Sequence, residues 1–182
     1  MRGVGTLLLA AAACIPAQAA AQSDNAVMRT QIHPAATLSN DGDLDFGDIV
    51  PSAGGGTVVM TPSAAPTCTV TGGLVRSGTC KAAEFTGTAY AGARLRVRRP
   101  NPNSITLTGP AGATMTVTAF TLGSTPPTVY AGPPPGNNPN HRFDVTAADG
   151  TYTFYVAGTL NVGGNQLPGV YNGTFQIDVS YN

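Results

Sequence analysis

The sequence is poor in charge and in the side chains that most often carry catalysis. Charged residues make up 10% of its 182 residues, with nine basic, nine acidic and two histidine side chains, including one lysine, Lys81, and one glutamate, Glu84. A balanced charge does not favour nucleic acid as a partner. A single glutamate argues against paired acid and base catalysis, and neither His33 nor His141 lies in a nucleophile motif. We therefore predict no enzyme and no cofactor; an enzyme would need a cleft joining one of these histidines to a carboxylate.

The chain also lacks an apolar run long enough to span a membrane. The apolar stretch over residues 4–15 is too short for that, follows the basic start Met1-Arg2, and precedes the small residues Ala19-Ala20-Ala21. This is the pattern of a secretory signal peptide. Residues 17–19 and 19–21 offer two overlapping cleavage sites, so the mature chain should begin at Ala20 or Gln22. We expect the signal peptide, residues 1–21, to be removed during export through the bacterial inner membrane, leaving residues 22–182 in the periplasm, at the cell surface or outside the cell. Lipidation at Cys14 is the alternative, although its surroundings match a lipobox poorly.

Cysteine is scarce as well, since only Cys68 and Cys80 follow the signal segment. In an exported chain two thiols are expected to pair, because the environment is oxidising. The spacing lacks the C-x-x-C form and no histidine is near in sequence, which argues against a metal or redox pair. We predict a structural disulfide that would stabilise the fold by about 3 kcal/mol in the loop-entropy description.

Glycine and proline, by contrast, are abundant, with 23 and 15 residues. No stretch after the signal segment keeps an apolar period of helical length, so helix content should be small. Many short strands separated by turn residues predict an all-β sandwich in one domain. The predicted strands cover residues 26–32 with 36–38, 44–50, 56–61, 68–71, 80–87, 93–99, 104–108, 113–120, 141–145, 151–156 and 171–181. Asp149-Gly150 predicts a hairpin, and the proline-rich residues 131–140 predict an exposed loop.

Three aspartates near the start of the domain invite comparison with a metal site. Asp41, Asp43 and Asp45 have the spacing of the first ligands of a calcium loop. The positions that should hold glycine and glutamate are instead Phe46 and Ser52, so the match fails. We interpret the aspartates as the solvent face of a strand and predict no metal.

Basic residues concentrate in one predicted strand. Arg94, Arg96 and Arg98 alternate with Leu95 and Val97, which places the three arginines on one face. One interpretation is a binding patch for an acidic polysaccharide or a lipopolysaccharide phosphate. The other is a solvated face that discourages pairing with other sheets.

The last residues of the chain show the clearest strand pattern. Phe175, Ile177, Val179 and Tyr181 alternate with polar residues, as expected of a strand with one buried face. Gly169 is the fourteenth residue from the end and Tyr181 the second. A glycine at this distance, alternating apolar residues that include Tyr171, and a penultimate tyrosine resemble the C-terminal signature of chaperone–usher pilins.

A second resemblance covers nearly the whole predicted domain. It rests on Asp45-Phe46-Gly47, residues 56–59, 82–87 and 162–164, and the stretch 168–175. These residues resemble an uncharacterised bacterial family of secreted, pilin-like β domains, a domain of unknown function similar to spore coat protein U. The resemblance implies an immunoglobulin-like sandwich at the cell surface with a role in assembly or adhesion, and it implies no catalytic residues.

Pilin sandwiches lack one strand, and a chaperone or a neighbouring subunit supplies it by β-augmentation. On this resemblance Gly169, Tyr171, Phe175, Ile177, Val179 and Tyr181 form the assembly strand, and the partners are further subunits with a periplasmic chaperone and an usher. The donor would be residues 26–32, where Ala26, Met28, Thr30 and Ile32 alternate, although Val27 interrupts the pattern. If that segment is instead the domain's own first strand, the sandwich is complete, and a monomeric glycan-binding or envelope-binding module that uses the arginine face becomes the alternative.

Overall fold

The computed structural model describes residues 26–133 and 138–182, so the predicted signal peptide lies outside the described residues. The chain divides into two compact units at Ile32. Of the first unit, residues 26–32 are described; they are exposed and form neither helix nor strand. The second unit, residues 33–182, contains the strands. The prediction of strands over residues 26–32 and 36–38 is therefore wrong for this chain on its own.

The described part of the chain is an all-β, sandwich-like domain with one short 3-10 turn at Pro110–Gly112. Because the turn residues recur at short intervals, most strands are short. The strands are β1 (Ser39–Gly42), β2 (Asp48–Val50), β3 (Gly56–Met60), β4 (Cys68–Val70), β5 (Val75–Ser77), β6 (Ala83–Thr88), β7 (Arg94–Arg98), β8 (Ser104–Thr108), β9 (Thr114–Ser124), β10 (Thr128–Gly132), β11 (Asn140–Val145), β12 (Thr151–Val162) and β13 (Asp178–Tyr181).

The strands pair antiparallel in three sheets. A seven-stranded sheet has the order β1-β6-β12-β3-β4, with β9 on the other side of β12 and β8 beyond β9. A four-stranded sheet has the order β10-β11-β7-β13, and β2 pairs with β5. Phe154 of β12 and Phe143 of β11 pack with their ring centroids 5.5 Å apart, so the larger two sheets share one core. Both rings are at most 1% exposed, as expected of inward positions in a sandwich.

The predicted hairpin at Asp149-Gly150 is wrong. This turn connects β11 to β12, which lie in different sheets. The Ala89 N–H donates to the Gly150 carbonyl at 2.9 Å, so the turn is tied to the loop after β6. Alternation on both sides of a turn does not distinguish a hairpin from a crossing between the layers of a sandwich, because both need inward and outward positions.

Other strand bounds also differ from the predictions. Residues 44–50 contain only β2 and an isolated bridge between Asp45 and Lys81, while β12 continues six residues beyond the predicted end, to Val162. Residues 40–42 belong to β1, whose register with β6 shifts there. The strands β1, β5 and β10 were not predicted. The strand β10 ends at Gly132, inside the predicted proline-rich loop of residues 131–140. Residues 134–137 of that loop lie outside the described residues.

Candidate assembly edge and arginine face

The C-terminal strand β13 is an edge of the four-stranded sheet. It pairs with β7 through the register Asp178 with Arg98 to Tyr181 with Leu95. Among residues 26–133 and 138–182, no other strand pairs with it. The ladder is shorter than the predicted strand over residues 171–181, because Asn172 forms a bridge with Thr108 of β8 in the other sheet. The chain therefore crosses from one sheet to the other before β13 begins.

The hydrogen bonds of β13 define which backbone groups face its free side. The Asn182 N–H donates to the Arg94 carbonyl at 3.0 Å. Because hydrogen-bonded pairs alternate in an antiparallel ladder, Ser180 and Asp178 also direct their backbone groups towards β7. Val179 and Tyr181 direct theirs to the opposite side. This free side of β13 is called the open edge below.

The side chains beside the open edge are apolar and only partly covered. Ile177 is buried, whereas Phe175, Val179 and Tyr181 are half-buried against the core. The ring of Phe175 lies 5.4 Å from that of Phe120 and 6.3 Å from that of Phe85, measured between centroids. The alternation predicted from sequence is thus present in the burial, also where no ladder forms.

Tyr181 marks one end of this apolar row. Its hydroxyl donates to the Pro34 carbonyl at 2.7 Å, and its ring lies 5.1 Å from that of Tyr90, which in turn stacks on His33 at 3.8 Å. The penultimate tyrosine therefore anchors the end of the chain to the start of the domain.

Gly169 and Tyr171 lie apart from the open edge. Gly169 has φ +148, and a Cβ there would lie 2.8 Å from Cγ of Pro110, so the position needs glycine for a local reason. The Tyr171 hydroxyl donates to the Leu167 carbonyl and accepts a hydrogen bond from Gln166, both at 2.8 Å. Of the six residues predicted as the assembly strand, these two hold the loop before it.

The three predicted arginines lie on the outer face of β7, while Leu95 and Val97 are fully buried. Arg94 donates two hydrogen bonds to the Asp144 carboxylate, at 2.6 and 3.0 Å. These hydrogen bonds and the charge of Arg94 lower the pKa of Asp144. Arg98 lies 3.5 Å from Asp178. Two of the three predicted ligand-binding arginines are therefore already paired with carboxylates from the neighbouring strands.

Cys68 and Cys80 lie side by side as free thiols, both half-buried. Burial and a hydrogen bond with the Cys80 side chain raise the pKa of Cys68 to about 12. Such a thiol is protonated at neutral pH and is a weak nucleophile and metal ligand. Proximity is what a disulfide needs, and the bond itself stays a prediction.

Both histidines contact tyrosines. His33 stacks on Tyr90, and Nδ1 of His141 lies 2.6 Å from the Tyr130 hydroxyl. His141 is 8% exposed, and burial, with a contribution from the charge of Arg99, lowers its pKa. A shallow surface depression beside His141 is lined by Arg99 and Asn103 among others.

The described residues include no group of three or more histidine, cysteine, aspartate or glutamate side chains placed to hold a metal ion. The aspartates of the rejected calcium motif bind protein groups: Asp41 accepts hydrogen bonds from Ser39 and Thr86, Asp43 from Asn40, and Asp45 from the Gly47 N–H. Within the same residues, no helix has the length and apolar character that crossing a membrane requires.

An all-β sandwich with an apolar edge at its C-terminus describes a class of domain rather than a function. A family model described as Domain of unknown function (DUF4402) matches residues 36–181. The chain belongs to this family, which confirms that the sequence is that of an uncharacterised domain family. No curated protein and no solved structure matches the sequence significantly.

Proposed function

We propose that the protein is an exported structural or adhesive subunit of the cell surface, which assembles when a strand from another copy pairs with β13. The open edge carries this proposal. Within residues 26–133 and 138–182, the N–H and C=O groups of Val179 and Tyr181 on this edge are unpaired, and they lie directly beside a row of half-buried apolar side chains. An added strand would form hydrogen bonds with these backbone groups and cover these apolar side chains, which is the physical basis of β-augmentation.

Residues 26–32 are the proposed donor. Val27, Met28 and Ile32 are 81%, 96% and 91% exposed, and the segment forms no strand in residues 26–32. Exposed apolar side chains in a segment that forms no strand favour binding of that segment to another protein surface. If Ala26, Met28, Thr30 and Ile32 face the next subunit's core, they replace water against Phe175 and Val179.

The partners follow from this arrangement. A donor from one copy and an acceptor edge on the next form a heterologous contact, which produces open filaments when it does not close. An unfilled apolar edge is prone to faulty pairing before assembly. A periplasmic chaperone that lends a strand, and an usher that exchanges it, would protect the subunit during export.

The proposal is tested by separating the cell-surface fraction on a denaturing gel with and without boiling. Wild-type protein is expected to form a ladder without boiling and one band after it, because an inserted strand leaves slowly. Met28→Asp with Ile32→Asp should abolish the ladder, since both side chains would enter the apolar row. The matched control, Val27→Asp with Gln31→Asp on the alternate positions, should retain it. A single unboiled band for the wild type would contradict the proposal.

A further inference from the structure

A fourth arginine, Arg142, completes the arginine face and was not predicted from sequence. It lies on β11 directly opposite Arg96 of β7. The Val145 N–H donates to the Ala93 carbonyl at 2.9 Å, and the Arg99 N–H to the Pro139 carbonyl at 3.0 Å. Hydrogen-bonded pairs therefore fall on odd-numbered residues of these strands, and Arg96 and Arg142 form a non-hydrogen-bonded pair. Side chains in such pairs are closest, with Cβ atoms about 4.5–5.5 Å apart.

The arginines on either side of this pair have carboxylate partners, whereas Arg96 and Arg142 themselves do not in the described residues. On one side Arg94 binds Asp144, and on the other Arg98 lies against Asp178. Neither Arg96 nor Arg142 forms a salt bridge with a carboxylate in the described residues. The Nε of Arg96 donates instead to the neutral Ser180 hydroxyl at 3.3 Å.

Like charges directly opposite each other destabilise a sheet. A bound oxoanion reduces that repulsion, and arginine is suited to it because the planar guanidinium donates paired hydrogen bonds to tetrahedral oxoanions. The Ser180 hydroxyl accepts from Arg96 and keeps its own hydrogen free to donate. Arg96 is exposed and Arg142 half-buried, so the pair is accessible from solvent.

From this geometry we propose that Arg96, Arg142 and Ser180 bind a sulfate or phosphate monoester on a surface polysaccharide. The inference does not depend on strand exchange, because the three side chains project from the outer face of the sheet and the proposed donor pairs with its edge. Of the predicted patch of Arg94, Arg96 and Arg98, the proposed site keeps only Arg96, which has no carboxylate partner in the described residues, and it adds Arg142 on the neighbouring strand.

The test is a titration of the purified protein with oligosaccharides of equal length that carry sulfate, phosphate monoester or only uronate carboxylates, measured by calorimetry at low salt. Sulfated or phosphorylated ligands should bind at least tenfold more tightly than the uronate form. The sulfated and phosphorylated arms identify which ester is preferred. Arg96→Ser and Arg142→Ser should each weaken binding at least tenfold. Absence of binding to all three ligands would overturn the proposal.

Two control variants separate a built site from net charge. Arg98→Ser removes an equal charge from the same strand at a position already paired with Asp178, and Arg76→Ser removes one outside the four-stranded sheet. Each should change the affinity less than threefold. Equal losses in all four variants would show a response to net charge only and would contradict the site.

A second readout concerns stability without ligand. Because the pair is repulsive, Arg142→Ser should raise the midpoint of thermal unfolding in ligand-free buffer, and added inorganic sulfate should raise the midpoint of the wild type more than that of the variant. If sulfate raised both midpoints equally, the anion would not be acting at this pair.

Discussion

The two edges of the four-stranded sheet differ in how their free sides are covered. At β10, the Thr128 hydroxyl accepts a hydrogen bond from the Thr153 N–H of the other sheet at 2.9 Å, and Thr128 is 2% exposed. The register of β10 with β11 also shifts between Tyr130 and Gly132. At β13, no comparable contact covers the free backbone groups in the described residues.

The edge at β10 is protected from pairing with a strand of another molecule, whereas the edge at β13 is available for it. Bulges and contacts with another layer are common ways to prevent an edge from pairing with foreign strands, and β10 has both. The open edge of β13 has apolar side chains beside it instead. The same sheet thus blocks addition of a strand at one end and favours it at the other.

The largest expected effect on stability is at β7, which pairs with the edge strand β13 on one side and with β11, the neighbour of β10, on the other. Leu95 is fully buried in β7 and lies opposite Phe143 of β11 and Tyr181 of β13. Leu95→Ala should lower the free energy of unfolding by about 2–5 kcal/mol, because it removes contacts and leaves a cavity. Urea unfolding followed by circular dichroism measures this. A loss below about 1 kcal/mol would mean that β7 does not hold the edges in place.

A further edge, β4, ends the seven-stranded sheet and begins at Cys68. Oxidation to a disulfide with Cys80 should raise the free energy of unfolding by about 3 kcal/mol through restriction of the unfolded chain. Urea unfolding before and after reduction, with intact mass to count hydrogens, measures this. In the Cys68→Ser and Cys80→Ser double variant, reduction should have no effect; oxidised protein as unstable as the reduced form would contradict the prediction.

Proline substitution distinguishes the two sides of β13. Val179→Pro removes an N–H that faces the open edge, where proline is tolerated in an edge strand, and it should prevent the unboiled ladder. Ser180→Pro removes an N–H that faces β7 and should cost about 1–3 kcal/mol more in unfolding free energy than Val179→Pro. If Val179→Pro retained the ladder, β13 would not be the acceptor.

The smallest expected effect is a pH dependence at the protected edge. The pKa of His141 lies below its usual 6.5 in the folded protein because the ring is buried, and Arg99 contributes. Below pH 6.5 the unfolded chain binds the proton more readily, so stability should fall as the pH drops from 7 to 5, by at most about 1.4 kcal/mol per pH unit. His141→Gln should flatten this slope in unfolding measured across the pH range. An unchanged slope would assign it to other groups.

The sequence predicted what depends on alternation within one segment. The fold class, the strands β3, β7, β8 and β11, and the inward row from Phe175 to Tyr181 follow from side chains that alternate between core and solvent. It did not predict which strands become neighbours. The turn at Asp149-Gly150 joins two sheets. Arg142 belongs to the proposed anion site only because it pairs with Arg96, and that pairing is between residues far apart in the chain.

The open edge itself could not be predicted from sequence for the same reason. A strand pattern states which side chains are buried, but whether the backbone has one neighbour or two depends on the rest of the sheet. The pilin-like signature suggested an acceptor strand over residues 169–181, whereas the ladder with β7 covers only Asp178 to Tyr181. Gly169 is explained by its contact with Pro110.

Amide hydrogen exchange at β13 tests the central claim most directly. Val179 and Tyr181 should exchange rapidly in the monomer while Ser180 is protected, because only the Ser180 N–H pairs with β7. After assembly all three should be protected, as read by NMR after quenching and dissolving the assembled protein. Protection of Val179 and Tyr181 in the monomer already, or rapid exchange that persists in the assembly, would contradict an open edge that accepts a strand.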